Sequence, residues 1–394
     1  MKIESLSEIA GDRRAEQVQQ VLADLARQLG PNSKLPTTRD LRKAMRISQA
    51  TLDSALDGME LQGLIHRRHG SGVYVSPMIK LKRIAVVMAH GVFETRSETF
   101  DHILFRALGP EAKRRNYLVS YHFADVDRNE DEHGPHQLAT DAQQGRIDAM
   151  VIRGPLSRHS QEVQSIRLPS VFVTSDKNAK PRIEFDASSV IGRGVALLAE
   201  AGCRRIGFAY PDYPSGGEHP PAVKVFKEAL ALAGLSFGQQ WLIPFGGGSI
   251  ASRPLSALSR FHKCWQEWSE KPDGFLSTDD QFTSGVVHAC ELMDVKIPDD
   301  LVIATHANKG LELFAQAQVI RLEFDPSEIA CAILATIDEL LQTGTTSAEA
   351  RSVSSHVVMP QGTQPGMQPD NRPVTQVPGK VTAGQGAIDR VAKK

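Results

Sequence analysis

Leu35-Pro36-Thr37-Thr38-Arg39-Asp40-Leu41, then Ile47-Ser48-Gln49-Ala50-Thr51-Leu52, then Leu64-Ile65-His66-Arg67-Arg68-His69-Gly70-Ser71-Gly72-Val73-Tyr74-Val75: these three stretches decide how the N-terminal part of the chain folds. Thr37 is placed to cap a short helix, with Asp40 at its third position as in a capping box. Ser48 is a second N-cap, and Leu52, Ala55, Leu56 and Met59 then mark the buried face of a longer helix that Gly63 ends. Upstream, Val18, Val21, Leu22, Leu25, Ala26 and Leu29 define one face of a helix over roughly 15–29, stopped by Gly30-Pro31. Gly58 inside the longer helix costs about 1 kcal/mol against alanine, so packing must carry it. Two short apolar runs around a glycine tip read as a two-stranded wing.

A short helix, a turn, a capped helix and a wing make a winged helix-turn-helix, spanning 1–77. The arrangement suits double-stranded DNA. Ser48, Gln49 and Thr51 lead the third helix into a major groove, and amides at its start can meet a phosphate. The glycines let the wing backbone approach the duplex closely, with Arg68, His69 and Gly70 at its tip. Over residues 33–72 seven Lys and Arg stand against four Asp and Glu, an excess of three positive charges. That is too modest to carry the case by electrostatics alone.

The chain has 394 residues, which at roughly 150 per domain suggests two or three domains. It is 41% hydrophobic and 23% charged, with net charge −1, so a core is affordable and a protein basic throughout is excluded. No apolar run reaches the roughly 18 residues needed to span a bilayer, and the N-terminus lacks a secretory signal's apolar core; a cytoplasmic protein is expected. Cys203, Cys264, Cys290 and Cys331 are scattered and read as small core residues, with no zinc site or disulfide framework. Residues 359–394 hold ten Pro and Gly in 36 positions, and are expected to form a disordered tail.

Between a linker at 78–82 and that tail, residues 83–358 alternate apolar strands with helices. Strands are expected at 84–89, 117–121, 148–152, 170–174, 205–210, 273–277 and 300–304, and helices at about 101–115, 187–201, 221–234, 254–270 and 280–294. This is an α/β pattern of buried parallel sheets, and its length suggests two lobes with a ligand cleft between them.

Two resemblances follow. The L-P-T-T-R-D-L, I-S-Q-A-T-L and L-I-H-R-R-H-G-S-G-V-Y-V motifs resemble the GntR family of bacterial transcription regulators over nearly all of 15–77. DNA contact is expected of Thr37, Arg39, Ser48, Gln49, Thr51 and the wing; the likeness implies it for Arg39, for the start of the recognition helix and for the wing tip. The chain departs from the pattern where many members carry arginine: it has Gln49 and Asp53, and an acid facing phosphates is unhelpful. Residues 83–345 resemble the LacI/GalR sensor, itself similar to periplasmic sugar-binding proteins. K-R-I-A-V-V-M, D-A-M-V-I-R-G-P-L, F-D-A-S-S-V-I-G-R-G-V-A-L-L and P-D-G-F-L-S-T-D-D-Q-F-T-S-G stand in the family's order. The likeness implies a small-molecule effector, a homodimer, and Asp280 and Arg153 at the cleft. The loop Gly91–Phe100 should border it, with Phe93, Arg96 and Phe100 available to stack on a ligand or pair with an anion.

Three polar positions often found in sugar sensors are replaced here, by Ala222, Thr174 and the run Thr305-His306-Ala307, so a ligand other than a common sugar, or a degraded pocket, is open. His306 reads as a core histidine, with a place in the cleft as the alternative. Gly246-Gly247-Gly248-Ser249 lacks the phosphate-loop pattern, Gly192 and Gly194 read as close packing, His133 and His136 as solvated loop, and Trp265 and Trp268 as packing. No catalytic or metal-binding motif stands out and no cofactor is expected. The reading is a ligand-responsive transcription regulator, a repressor that binds a DNA operator as a dimer and takes a sugar or related metabolite. The alternatives are a GntR-type head on a pyridoxal-phosphate aminotransferase-like body, which would need a Schiff-base lysine loop, and a small-molecule binding protein without regulatory activity.

Overall fold

The structure is a computed structural model that describes residues 14–89, 99–124, 136–154, 163, 165–212, 220–246, 252–313 and 317–360. Three helices open the head: α1 (Arg14–Leu29), α2 (Thr38–Met45) and α3 (Gln49–Leu61). The hairpin of β1 (Ile65–Arg68) and β2 (Gly72–Val75) follows, pairing antiparallel. Both expected caps are made: Thr37 accepts from the Asp40 amide at 3.2 Å, and Ser48 from the Thr51 amide at 3.1 Å. The Asp40 carboxylate accepts from the Thr37 hydroxyl rather than from the Thr37 backbone, so the box closes through side chains. Arg46 ends α2 in a left-handed conformation (φ 50°), which supplies the turn before α3. Val18, Leu22, Leu41, Met45, Leu52, Leu56 and Met59 close one core, each such side chain contributing about 1.5–3 kcal/mol by burial. The packing that Gly58 required comes from α1: a Cβ there would meet Gln19 Oε1 at 2.5 Å.

Residues 76–81 are not a slack tether. Ser76 and Ile79 are buried, Ile79 in the head's core, and hydrogen bonds Ile79 N–Ser76 O (3.1 Å) and Leu81 N–Met78 O (2.9 Å) fold the segment into turns.

The remaining chain builds two parallel sheets with helices on their faces. The first lobe contains β3 (Lys82–Ala89), α4 (Phe100–Arg114), β4 (Tyr117–Ala124), α5 (His136–Gln143), β5 (Ala149–Arg153), β6 (Ser170–Val173) and β7 (Arg182–Phe185). The second contains α6 (Ala187–Glu200), β8 (Ile206–Pro211), α7 (Pro221–Leu232), β9 (Leu242–Phe245), α8 (Arg253–Glu267), β10 (Gly274–Ser277), α9 (Asp280–Leu292), β11 (Val302–Asn308) and β12 (Ile320–Phe324). The chain then returns: α10 (Pro326–Thr343) packs on α4, β13 (Ala350–Val353) joins the first sheet, and β14 (His356–Val358) the second. Strand orders are β13-β7-β6-β5-β3-β4 and β14-β12-β11-β10-β8-β9, parallel throughout except for β14. Three chain passages therefore join the lobes, after Phe185, Phe324 and Val353.

Buried apolar runs such as Met150-Val151-Ile152 and Gly274-Phe275-Leu276 explain the central strands, covered on both faces. The patterns assigned no element to 305–358, nor to 136–143, 182–185 or 242–245. Most of the missed strands are short, and β7 and β12 alternate polar with apolar residues at the lobe junction. The tail beyond Pro360 lies outside the described residues. Cys203 and Cys290 are core residues, whereas Cys264 and Cys331 are only partly buried. Gly194 does serve close packing, since a Cβ there would run into the Leu276 side chain. Trp268 is buried against Phe261, its indole N–H donating to the Gln240 carbonyl.

Helices α8 and α9 approach closely at Gly285. A Cβ there would strike the Pro254 carbonyl oxygen and come within 2.7 Å of the Ala257 Cβ and 2.9 Å of the Leu258 amide nitrogen. Two of these obstacles are backbone, so relief requires α8 to move. We expect Gly285→Ala to destabilise by about 1–3 kcal/mol or more, lowering the melting temperature by several degrees. A thermal unfolding curve checks this, and an unchanged midpoint would contradict the packing.

Candidate DNA-binding surface and effector cleft

On the head, Arg39 is exposed at the first turn of α2, and no described residue pairs with it. Ser48 and Thr51 are engaged locally, their hydroxyls 2.8 Å apart, in addition to the capping bond. Gln49 bridges: its oxygen accepts from Arg42 at 3.2 Å and its amide donates to Asp53 at 2.8 Å. That contact holds the Asp53 carboxylate against its own helix, although the neutral amide leaves its charge in place. The acids behind it are neutralised from the wing. Arg67 pairs with Asp57 at 2.7 Å and with Glu60 at 2.8 Å, tying β1 to α3. Arg67 is thus a brace, whereas exposed Arg68 lies over the Tyr74 ring at 4.6 Å. His69 and Gly70 are exposed at the wing turn, where Gly70 (φ 69°) and Gly72 (φ 120°) take left-handed conformations that favour glycine. Leu35 N donates to Val73 O, and Val75 N to Ser33 O, so residues 33–35 edge the wing as a further extended strand. With Asp57 and Glu60 paired, Lys34, Arg39, Arg42, Lys43 and Arg68 stand among the exposed cations of the head.

The second site lies at the C-terminal ends of the strands, between the lobes. A cavity of about 190 Å3 is lined by Phe100, Arg153 and Phe185 from the first lobe and by Arg253, Asp280 and Asn308 from the second. Of the residues expected here, Phe100, Arg153 and Asp280 do meet; Phe93 and Arg96 lie outside the described residues. Arg153 donates to Asp101 at 2.6 Å and to the Val173 carbonyl at 3.2 Å, and its guanidinium lies 4.8 Å from the Phe100 ring centre. Asp280 is not the helix cap. Asp279 caps α9, accepting from the Phe282 amide at 2.8 Å, and its other oxygen takes Arg253 at 2.5 Å. Asp280 is consequently released to the cavity, where it accepts from the Asn308 amide at 2.7 Å. Burial pushes its carboxyl up from the ordinary range, with His306 pulling the other way.

His306 is not a core histidine: it lines the cavity, with Nε2 3.2 Å from Asn308 Nδ2 and its ring packed on Phe324. The Asn308 amide points towards both partners, leaving Asn308 Oδ1 and, nearby, Thr278 Oγ1 as buried polar atoms without a hydrogen-bond partner among the described residues. Such atoms are uncommon and costly in folded proteins, and a polar ligand is one way to satisfy them. Arg253 and Asn308 were missed from sequence because neither lies in a recognisable motif. Their place depends on α8 and β11 converging at one sheet end. Of the three replaced positions, Thr305 is buried against Thr283 at 2.7 Å, and Thr174 Oγ1 accepts from the Asp176 amide at 3.1 Å. Arg253 brings to the cleft a cation that Ala222 cannot supply.

The geometry defines a winged helix-turn-helix head joined to a two-lobed, periplasmic-binding-protein-like sensor, the build of a DNA-binding transcription regulator. Residues 14–75 match the gntR family of bacterial regulatory proteins, and residues 195–362 match the periplasmic binding protein-like domain. The chain thus carries a gntR-family DNA-binding domain followed by a periplasmic binding protein-like domain, the composition of a transcription regulator. It is 25% identical over 295 residues to the uncharacterized HTH-type transcriptional regulator YkvZ of Bacillus subtilis, covering 73% of this chain and 82% of that one. It is 20% identical over 291 residues to the arabinose metabolism transcriptional repressor of Geobacillus stearothermophilus, covering 70% and 76%. Among solved structures, the transcriptional regulator CelR in complex with cellobiose superposes with TM-score 0.57 at 13% identity, over 87% of this chain and 98% of that one. A LacI family regulator from Arthrobacter sp. FB24 in complex with lactose superposes with TM-score 0.56 at 17% identity, over 72% and 100%. The body is thus not aminotransferase-like, which removes the pyridoxal-phosphate alternative.

Proposed function

We propose that this protein is a cytoplasmic repressor that binds an operator as a homodimer and is controlled by a small hydroxyl-rich ligand, a sugar or a related metabolite, held between its sensor lobes. The observation that carries this reading is the pairing of an exposed Arg39 on a wing-bearing head with a polar cavity at Asp280 and Asn308. A carboxylate and an amide oxygen side by side accept from adjacent hydroxyls, and Phe100 and Phe185 give the apolar faces of a sugar ring something to stack on. Such a ligand would act by its differential affinity for two lobe arrangements, since equal affinity shifts nothing.

Dimerisation is supported by strand β4, which ends its sheet with no described strand beside it and exposes Leu118 and Tyr121. An edge strand with large exposed apolar residues is ordinarily covered. No described helix is long and apolar enough to cross a membrane. The test is a mobility shift of the full-length protein on fragments from its own upstream region. Release of a retarded band by one member of a panel of sugars and sugar acids is expected, and a band indifferent to every ligand would favour a regulator without an effector.

A further inference from the structure

We propose that Arg83, on the first strand of the sensor, fixes the orientation of the head by capping the C-terminus of α3, so that head and first lobe turn as one body. The inference rests on the reading of the head as the DNA-binding element of a homodimer. Helix C-termini leave carbonyls without intrahelical partners, and a cation placed there is favourable. Gln62 is the C-cap of α3, and its carbonyl accepts from the Arg83 guanidinium. Its side chain reaches the other way and donates to the Gln144 carbonyl, in the turn before β5. Arg83 is itself held: its amide donates to Asp148 Oδ2 at 2.7 Å, and its carbonyl accepts from the Asp148 amide at 2.8 Å.

The end of the recognition helix therefore sits on the N-terminal ends of β3 and β5. Strand β5 runs only from Ala149 to Arg153. At about 3.3 Å per residue the strand is a stiff strut of roughly 16 Å with the head's contact at one end and Arg153, in the cleft, at the other. The contact is narrow. Cavities of about 930 Å3 and 330 Å3 flank it, the larger between α1, α3 and residues 143–146, so few bonds set the angle. The folded turns at 76–81 leave little slack to replace them.

A rigid head should discriminate half-site spacing sharply, whereas a head on a flexible tether should not, because effective concentration then varies slowly with span. The test uses full-length wild type, Arg83→Ala and Gln62→Ala, without ligand, on duplexes carrying two half-sites enriched from a random duplex pool. The wild type is expected to lose about tenfold or more in affinity when the spacer changes by about two base pairs; both variants are expected to lose under about threefold. Affinity for a single half-site should stay within about twofold, a combination that general destabilisation would not produce. Small-angle scattering of the DNA-free proteins should show a larger radius of gyration in the variants. Variants that keep wild-type spacing discrimination and wild-type scattering would overturn the proposal. Failure of the wild type to bind any duplex would strike the DNA-binding reading instead, leaving scattering to decide the docking.

Discussion

Arg39→Ala is expected to abolish a specific operator shift while leaving the fold intact. The side chain is exposed at the start of α2 and is held by no described partner, so its removal breaks no internal contact. Surface substitutions of that kind usually change stability by less than about 0.5 kcal/mol. A guanidinium aimed at a base edge contributes about 1–3 kcal/mol of discrimination; one aimed at a phosphate weakens all sequences about equally and reduces the salt slope by about one. Titration of the variant on specific and scrambled duplexes at several salt concentrations separates these two roles. Undiminished specific binding would remove Arg39 from the DNA-contacting set. Arg67→Ala makes the contrasting control, because Arg67 braces β1 to α3 through Asp57 and Glu60 and its loss would act through the wing's position.

Asp280→Asn is expected to stabilise the free protein at neutral pH and to weaken ligand binding. Burial raises the Asp280 carboxyl above its unfolded value, so between those two values the unfolded chain binds fewer protons than the folded one. Stability contributed by the protonated folded form is then full below the unfolded value and is lost as pH rises through the folded one. An asparagine carries no such penalty, and its oxygen can still accept from Asn308. The melting temperature of the variant should therefore exceed that of the wild type near pH 7, with the difference closing below about pH 4. Ligand affinity should fall by about tenfold to a hundredfold, the range for losing a charge-assisted hydrogen bond. Differential scanning fluorimetry across pH, with and without the sugar panel, reads both effects. An equal ligand-induced shift in variant and wild type would place the ligand away from Asp280.

The head was legible almost residue by residue, for a physical reason: its caps, breakers and apolar spacings are local, and Thr37, Ser48 and Gly63 act within a few residues of themselves. The sensor's central strands were legible because they are buried on both faces and read as unbroken apolar runs. The lobe junction was not. Residues 305–358 pass twice between the lobes in short strands, and only the completed sheets show which strand each joins. The cleft was half legible. Asp280, Arg153 and Phe100 come from the ends of elements that the patterns located, whereas Arg253 and Asn308 are brought in by convergence of distant segments. The adjacent pair Asp279 and Asp280 shows the limit well. Sequence places two acids at a helix start, and only the fold assigns the cap to Asp279 and the cavity to Asp280.

The most direct measurement is the affinity of the purified full-length protein for fragments of its own upstream region, followed by fluorescence anisotropy as salt is raised. One fragment is expected to bind much more tightly than scrambled duplex, with affinity falling linearly on a log–log salt plot. Equal, negligible binding to every fragment at low ionic strength, with or without the sugar panel, would contradict the DNA-binding reading.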